Sequence, residues 1–371
     1  MAILWITEHY YPNQGGMAQS CDRIVAGLRE LGLCIDVIHL AKSCRRRTLG
    51  NPEQGEDRCW PLGDNPSHGL NLLWNWLEQN DADNKYQKIV AYGTHYALVS
   101  AQNFSAYFDL PLYSFVRGND FDSAVFDSKR RTLIEGLYRA SETVFCVSKD
   151  KQRKISKLFK GVNSTWVANG IDLSQWQVMP SHKKSLAKIK ANFPVAKKVI
   201  GLFGHIKDKK GGVLLLETIK LANLTEHLHL LIVGDLDPQT QVILDITDAN
   251  ISYTLLPFTE RNQLIPYYLG CDCIAIPSFY DGMPNVMLEA SALGVPILCT
   301  KVGGMDDILT HAETAIMFEP GDKSELHQLL EFVAFSSGEQ LSELGKNAQQ
   351  LITDQYQAKA EALAYYKQLG N

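Results

Sequence analysis

Short apolar runs rich in β-branched and aromatic residues recur along the whole chain, each bounded by Gly, Pro, Asn or Asp and followed by a longer stretch with helical spacing. Runs without strict alternation predict strands buried on both faces. Their regular succession with helices predicts βα units and a parallel sheet. In the first half, strands are expected near 2–7, 35–40, 88–93, 111–116, 142–147 and 164–168. In the second half they are expected near 198–204, 228–233, 252–256, 273–277, 296–300 and 315–318. Residues 173–198 break this rhythm: they are Lys-rich, hold Pro180 and Pro194, carry no strand run, and predict an interdomain linker plus a leading helix. The final segment, 351–371, contains helix formers up to Gly370 and predicts one long terminal helix.

The expected fold class is therefore α/β: two Rossmann-like doubly wound domains facing across a cleft, with a C-terminal helix. The domains are placed at 1–175 and 176–352, and the helix at 353–371 is expected to return to the first domain. The chain's 371 residues suit two domains at roughly 150 residues each. In such sheets ligands bind at the carboxyl ends of the strands, where βα loops meet helix N-termini.

A net charge of -5 excludes a surface built as a whole to hold nucleic acid. No run approaches the roughly 18–20 apolar residues of a membrane span. The opening "MAILWITEHYYPNQGG" has no basic region ahead of its apolar run and reads as a first strand. These features point to a soluble, cytoplasmic protein. The 8 cysteines (21, 34, 44, 59, 146, 271, 273 and 299) show no CxxC spacing, and several sit in apolar runs, so reduced buried thiols are expected.

Chemistry concentrates in the second half. In "IPSFYDGMPNVMLEASALGVPILCT", residues 276–300, a strand ends at Pro277, a loop holds Gly282 and Pro284, and a helix opens near Asn285 and closes at Gly294. Pro284 suits the first turn of that helix, whose N–H groups make an anion site. Asp281 and Glu289 would supply carboxylates on either side of it for hydroxyl pairs. Taken alone, the plainer reading is a turn-ordering Asp281 and a solvated Glu289. In "VIGLFGHIKDKKGGVLLLETI", residues 199–219, a strand leads through Gly204 and the lysines 207, 209 and 210 to Gly211–Gly212 and a helix, which could cradle negative charge.

Together these segments resemble the donor half of retaining glycosyltransferases of the GT-B fold, family 4 (glycosyl transferases group 1). The resemblance rests on "GHIKDKKG", on "PSFYDGMPNVMLEASALGVPIL", on "TKVGGMDDIL", on "VANGIDLSQW" at 167–176, and on "YYPNQGGMAQSCDRIVAGLRELG" near the start. It implies that Lys210 contacts a donor diphosphate and Glu289 the ribose hydroxyls. Asp281, Gly282, Met283 and Pro284 would meet the transferred sugar, and the N–H groups of Asn285 and Val286 would assist the phosphates. Gly204 and His205 belong to the same donor loop, while Gly15 and Gly16 would allow close approach of donor or acceptor. Arg117 falls where the family often places a His at a strand end, and Asp120 could reach acceptor hydroxyls. The sequence departs from the family pattern at Asp281 (usually Glu), at His205 (usually Arg) and at Asp307 (usually Glu), each time keeping a polar side chain.

The resemblance implies transfer of a sugar from a UDP- or GDP-sugar to a glycan, lipid-linked or small-molecule acceptor, with no metal and no other cofactor. Asp235 and Asp237 mimic a metal-binding DxD pair but fall at a Gly-Asp turn of the family. The basic segment 148–160, with Lys149, Lys151, Arg153, Lys154, Lys157 and Lys160, could dock peripherally on an anionic membrane, although a solvated helix is the plainer reading. His9 and His95 follow strand ends and could line an acceptor pocket; a hydrogen-bonded loop histidine is the safer reading of each. Trp74 and Trp76 read as packing. The alternatives are an epimerase or disaccharide synthase or phosphorylase of the same fold, and a non-catalytic nucleotide-binding scaffold. Residues 40–69 show no pattern beyond a polar loop.

Overall fold

The computed structural model describes residues 2–13, 15–44, 48–51, 53–80, 85–245 and 250–370. It divides into two compact units, Met1–Asn169 with Ala358–Asn371, and Gly170–Gln357.

The first unit contains strands β1 (Ala2–Thr7), β2 (Cys34–Ala41), β3 (Thr48–Asn51), β4 (Gly55–Pro61), β5 (Tyr86–Tyr92), β6 (Leu112–Val116), β7 (Ser141–Cys146) and β8 (Ser164–Trp166). Their order across the sheet is β3-β4-β2-β1-β5-β6-β7-β8, and every pairing is parallel except β3 with β4. Both faces are covered, which is why the strand runs are continuously apolar rather than alternating. Leu4 and Ile6 join a core with Leu73, Leu77 and Phe104, while Ile3 and Trp5 face a second core with Ile24, Leu28 and Tyr365. The helix Gly16–Glu30 shows how the sequence does this: Cys21, Ile24, Val25 and Leu28, spaced three and four apart, form its buried stripe. Each such side chain contributes about 1.5–3 kcal/mol through burial.

The second unit contains β9 (Lys198–Phe203), β10 (Leu228–Val233), β11 (Ser252–Leu256), β12 (Cys273–Ile276), β13 (Ile297–Thr300) and β14 (Ile316–Phe318), in the order β11-β10-β9-β12-β13-β14 and all parallel. The order reverses between β9 and β12. Chains that leave neighbouring strands in opposite directions open a crevice there, and the loops after β9 and β12 form its walls.

Five expectations need correction. Residues 173–198 hold the expected leading helix, Pro180–Lys190, but no interdomain linker: that helix and the short 3-10 turn before it, Leu173–Trp176, both lie within the second unit. Residues 40–69 are more than a polar loop, because β3 and β4 extend the first sheet; positions 45–47 and 52 lie outside the described residues. The thiols are not all reduced: Cys44 and Cys59 form a disulfide, with Cα atoms 6.3 Å apart, and the other six are free.

The terminal helix is broken as well, into Gly338–Gln355 and Ala358–Leu369. Ile171 N–H donates to the Tyr356 carbonyl at 2.9 Å, and Ile171 bridges to Gln357, so pairing with a distant segment overrides local helix propensity. The chain thus passes between the units twice, at 169–170 and 357–358. Finally, the basic segment is not uniformly solvated. In the helix Lys149–Leu158, Lys151 is 1% exposed and its ammonium lies 2.5 Å from Asp122, while Lys149 sits over the Trp166 ring. Arg153 and Lys154 pair with Asp150, and Ile155 is buried. Among the described residues no helix is long and apolar enough to cross a membrane.

Candidate donor site in the second unit

The loop after β9 runs through Gly204 and a short 3-10 turn, Asp208–Lys210, into the helix Gly212–Leu221. Gly211 joins them in the left-handed region at φ 71°, and a Cβ there would lie 2.0 Å from the Pro277 carbonyl oxygen. Glycine is therefore required on two counts, backbone angle and space. That close approach brings the β9 loop against the β12 loop. Phe279 N–H donates to the Lys209 carbonyl at 2.9 Å, and Lys209 lies over the Tyr280 ring.

The β12 loop delivers Asp281 to Lys210, and the two form a direct ion pair. Asp281 also accepts from the Gly282 N–H at 2.8 Å. Burial pushes its carboxyl up, but the Lys210 ammonium and that hydrogen bond outweigh it and hold the carboxyl below the ordinary 3.8. A lowered folded value means that Asp281 contributes its full stability above the unfolded value and loses it as pH falls through the folded one. Asp281→Asn should accordingly flatten the acid limb of a stability curve measured below about pH 4; an unchanged limb would show that the pair adds no stability.

From Asn285 to Ala292 the chain is helical, with Pro284 as its cap residue rather than its first helical residue. The positive end of this helix opens from the loop that carries Asp281, the ion-pair partner of Lys210. Met283 is buried beneath Gly304, where a Cβ would lie 2.6 Å from the Met283 Cβ, and Gly304 N–H donates to the Gly282 carbonyl at 2.5 Å. The strand β13 thus hands the double glycine to the same loop. Glu289 is not a solvated helix residue: it is 7% exposed and accepts a 2.6 Å hydrogen bond from the Tyr268 hydroxyl. Val286 and Asn285 are partly exposed, Asp307 lies on the helix Gly303–Ile308, and His205 is half-exposed with Nδ1 4.0 Å from Asp235. Asp237 caps the helix Pro238–Asp245, accepting from the N–H groups of Gln239 and Thr240 at 3.0 Å each. Among the described residues no cluster of His, Cys, Asp and Glu could hold a metal ion.

The second unit therefore collects Gly204, His205 and Lys210 on the loop after β9, and Asp281, Gly282, Met283, Pro284, Asn285, Val286 and Glu289 on the loop after β12 and the helix that follows it. Tyr268 and the Phe203 ring stacked on it at 4.0 Å carry no signal in the sequence. Tyr268 sits in an ordinary helix, Arg261–Gly270, and meets Glu289 through tertiary packing alone.

The remaining expected site residues lie in the first unit. Gly15, at φ 108°, caps the helix that Gly16 opens, and a Cβ on Gly15 would meet nothing within 4 Å. Arg117 is held internally: its guanidinium donates to Tyr365 Oη at 3.1 Å and to Asn169, and lies over the Tyr92 ring. Asp120 is buried and accepts from the Arg117 N–H at 3.0 Å, and burial pushes its carboxyl up. His9 has its pKa lowered by burial, against the opposing charges of Glu8 and Asp120, whereas His95 is exposed at the start of the helix His95–Phe108. Trp74 packs edge-on against Phe104 and Trp76 against Trp60, as packing residues would.

Residues 184–351 match the model of the family described as Glycosyl transferases group 1. The second unit carries a domain of that family. The capsular polysaccharide biosynthesis glycosyltransferase CapM of Staphylococcus aureus is 26% identical over 214 residues, 56% of this chain and 53% of the relative. The 2-deoxystreptamine N-acetyl-D-glucosaminyltransferase of Niallia circulans is 31% identical over 134 residues, 35% of this chain and 34% of the relative. The matches thus cover about a third to a half of the length of the curated relatives. Among solved structures, Anabaena HepE in complex with UDP and glucose superimposes with a TM-score of 0.80 over 100% of both chains at 18% identity. The fold is that of the GT-B glycosyltransferases.

Proposed function

We propose that the protein transfers a sugar from a nucleoside diphosphate donor, UDP- or GDP-linked, to an acceptor hydroxyl, with retention at the anomeric carbon and without a metal ion. The reading is carried by one observation: Lys210, Asp281 and the positive end of the helix Asn285–Ala292 converge at the switch point of a parallel sheet. A diphosphate leaving group needs positive charge fixed in advance of the reaction, and an ammonium beside a helix N-terminus supplies it. The bond from the anomeric carbon to the diphosphate oxygen breaks as the acceptor oxygen bonds to the same face, and the acceptor proton passes to the departing phosphate oxygen. Glu289 accepts from the ribose hydroxyls, and the loop from Asp281 to Pro284 meets the sugar. Relatives named for capsular polysaccharide and lipopolysaccharide core biosynthesis support a saccharide or lipid-linked saccharide as acceptor.

The test begins with thermal shifts against UDP, GDP and ADP, continues with the sugar forms of the nucleotide that binds, and ends with saccharide acceptors. The expected result is acceptor-dependent release of nucleoside diphosphate, an α-anomeric product from an α-linked donor, and a rate unchanged by EDTA. Conversion of donor to a different nucleotide sugar without acceptor would instead establish an epimerase. Binding without turnover under all acceptors would favour a scaffold, and a rate abolished by EDTA and restored by Mn²⁺ would overturn metal independence.

A further inference from the structure

The group that holds Glu289 is itself held in place. Tyr268 is fully buried on the helix Arg261–Gly270, 21 residues before Glu289 in the chain, and its hydroxyl donates to Glu289 Oε2 at 2.6 Å. The ring cannot swing away, because Phe203, the last residue of β9, stacks on one face with centroids 4.0 Å apart and planes 8° from parallel. Trp176 packs edge-on at 5.7 Å, from the short turn that follows the chain's entry into this unit. A phenol clamped in this way fixes the direction of the one carboxylate oxygen it touches, and so the rotation of the whole carboxylate.

We propose that Tyr268 is a positioning residue: its hydroxyl sets the Glu289 carboxylate in the orientation that accepts from ribose hydroxyls, and so gives the site its preference for ribonucleotides. This rests on the proposed role of Glu289. Burial and the adjacent Glu289 charge both push the Tyr268 phenol well above its ordinary value, so it remains a donor across the working pH range. The carboxylate has two oxygens for a pair of vicinal hydroxyls. A carboxylate that loses this hydroxyl loses one of its restraints and samples rotations that present its oxygens less well, and a nucleotide lacking one hydroxyl would then lose little by comparison.

The experiment measures binding of UDP, GDP and ADP and of their 2′-deoxy counterparts by titration calorimetry, in the wild type and in Tyr268→Phe, Glu289→Gln and the double variant. Tyr268→Phe removes one oxygen and keeps the ring, and a thermal melt checks that it folds. The wild type should favour the ribonucleotide by about tenfold, and both single variants should bring that ratio close to one. In the double variant, Tyr268→Phe should add no further loss, because there is no carboxylate left to position. If Glu289→Gln loses the discrimination and Tyr268→Phe retains it, the positioning role is overturned while the reading of Glu289 stands. If Glu289→Gln retains it, the reading of Glu289 itself fails. Should Tyr268→Phe not fold, Phe203→Leu loosens the same ring from its stacked face. It should lower the ratio part of the way, and an unchanged ratio there overturns the proposal.

Discussion

Lys210→Ala should lower transfer by about two to three orders of magnitude, the loss typical when one fixed positive or hydrogen-bonding group is removed from a developing anion. On the proposed reading its ammonium faces the leaving diphosphate, and it is also the direct partner of Asp281, which is largely buried. The variant therefore loses two things, charge on the leaving group and neutralisation of a carboxylate at the same loop. Lys210→Arg separates them. An arginine keeps the charge but places a planar fork where the ion pair has room for a compact ammonium. It should bind nucleoside diphosphate within about tenfold of the wild type while recovering part of the rate. Steady-state rates with the nucleotide sugar selected by thermal shift, set beside calorimetric affinity for the bare diphosphate, give both quantities. A Lys210→Ala protein that folds, binds and turns over at the wild-type rate would remove this site from the chemistry.

The second large effect concerns stability and lies in the first unit. Glu361→Ala should cost about 3–5 kcal/mol in urea unfolding, the range seen when one partner of a buried ion pair is deleted. Glu361 is 4% exposed on the helix Ala358–Leu369 and takes a two-pronged contact from Arg23, at 2.7 and 3.3 Å. Arg23 also reaches the Asn169 amide oxygen, which accepts from Arg117 as well. Removing the carboxylate leaves two guanidinium groups converging on one amide with less negative charge between them. The cluster ties together the two chain segments of this unit, one ending at Asn169 and the other beginning at Ala358. Glu361→Gln keeps one acceptor oxygen without charge and should fall between wild type and alanine. A loss below about 1 kcal/mol for the alanine variant would place the pair among ordinary surface contacts.

The twelve strands expected from apolar runs all occur, because a parallel sheet covered on both faces writes itself into the sequence as continuous β-branched stretches. β3 and β4 escaped detection. They sit at the sheet edge, where one antiparallel pair carries Asp57, Arg58 and Glu56 among its residues, and a polar edge strand resembles a loop. The loops after β9 and β12, which carry the candidate site, were legible for a different reason. A phosphate cradle needs glycines, lysines and a helix start at fixed spacing, and these are local requirements. The identity of the residues at Lys210, Asp281 and Glu289 could thus be read from sequence, together with the strand ends that carry them.

Tertiary structure alone decided what those residues touch. That Lys210 pairs with Asp281 follows from Gly211 letting one loop close on the other. That Glu289 is buried and held by Tyr268 follows from the packing of two helices whose contact no spacing reveals. The same holds for Arg117, which the sequence placed at a strand end and the fold ties to Asn169 and Tyr365, and for the break at Tyr356–Gln357, where pairing with Ile171 overrides a helical sequence. Period and composition act over a few residues and so belong to the sequence; hydrogen-bond partners and burial depend on segments tens to hundreds of residues apart, which meet only when the chain has folded.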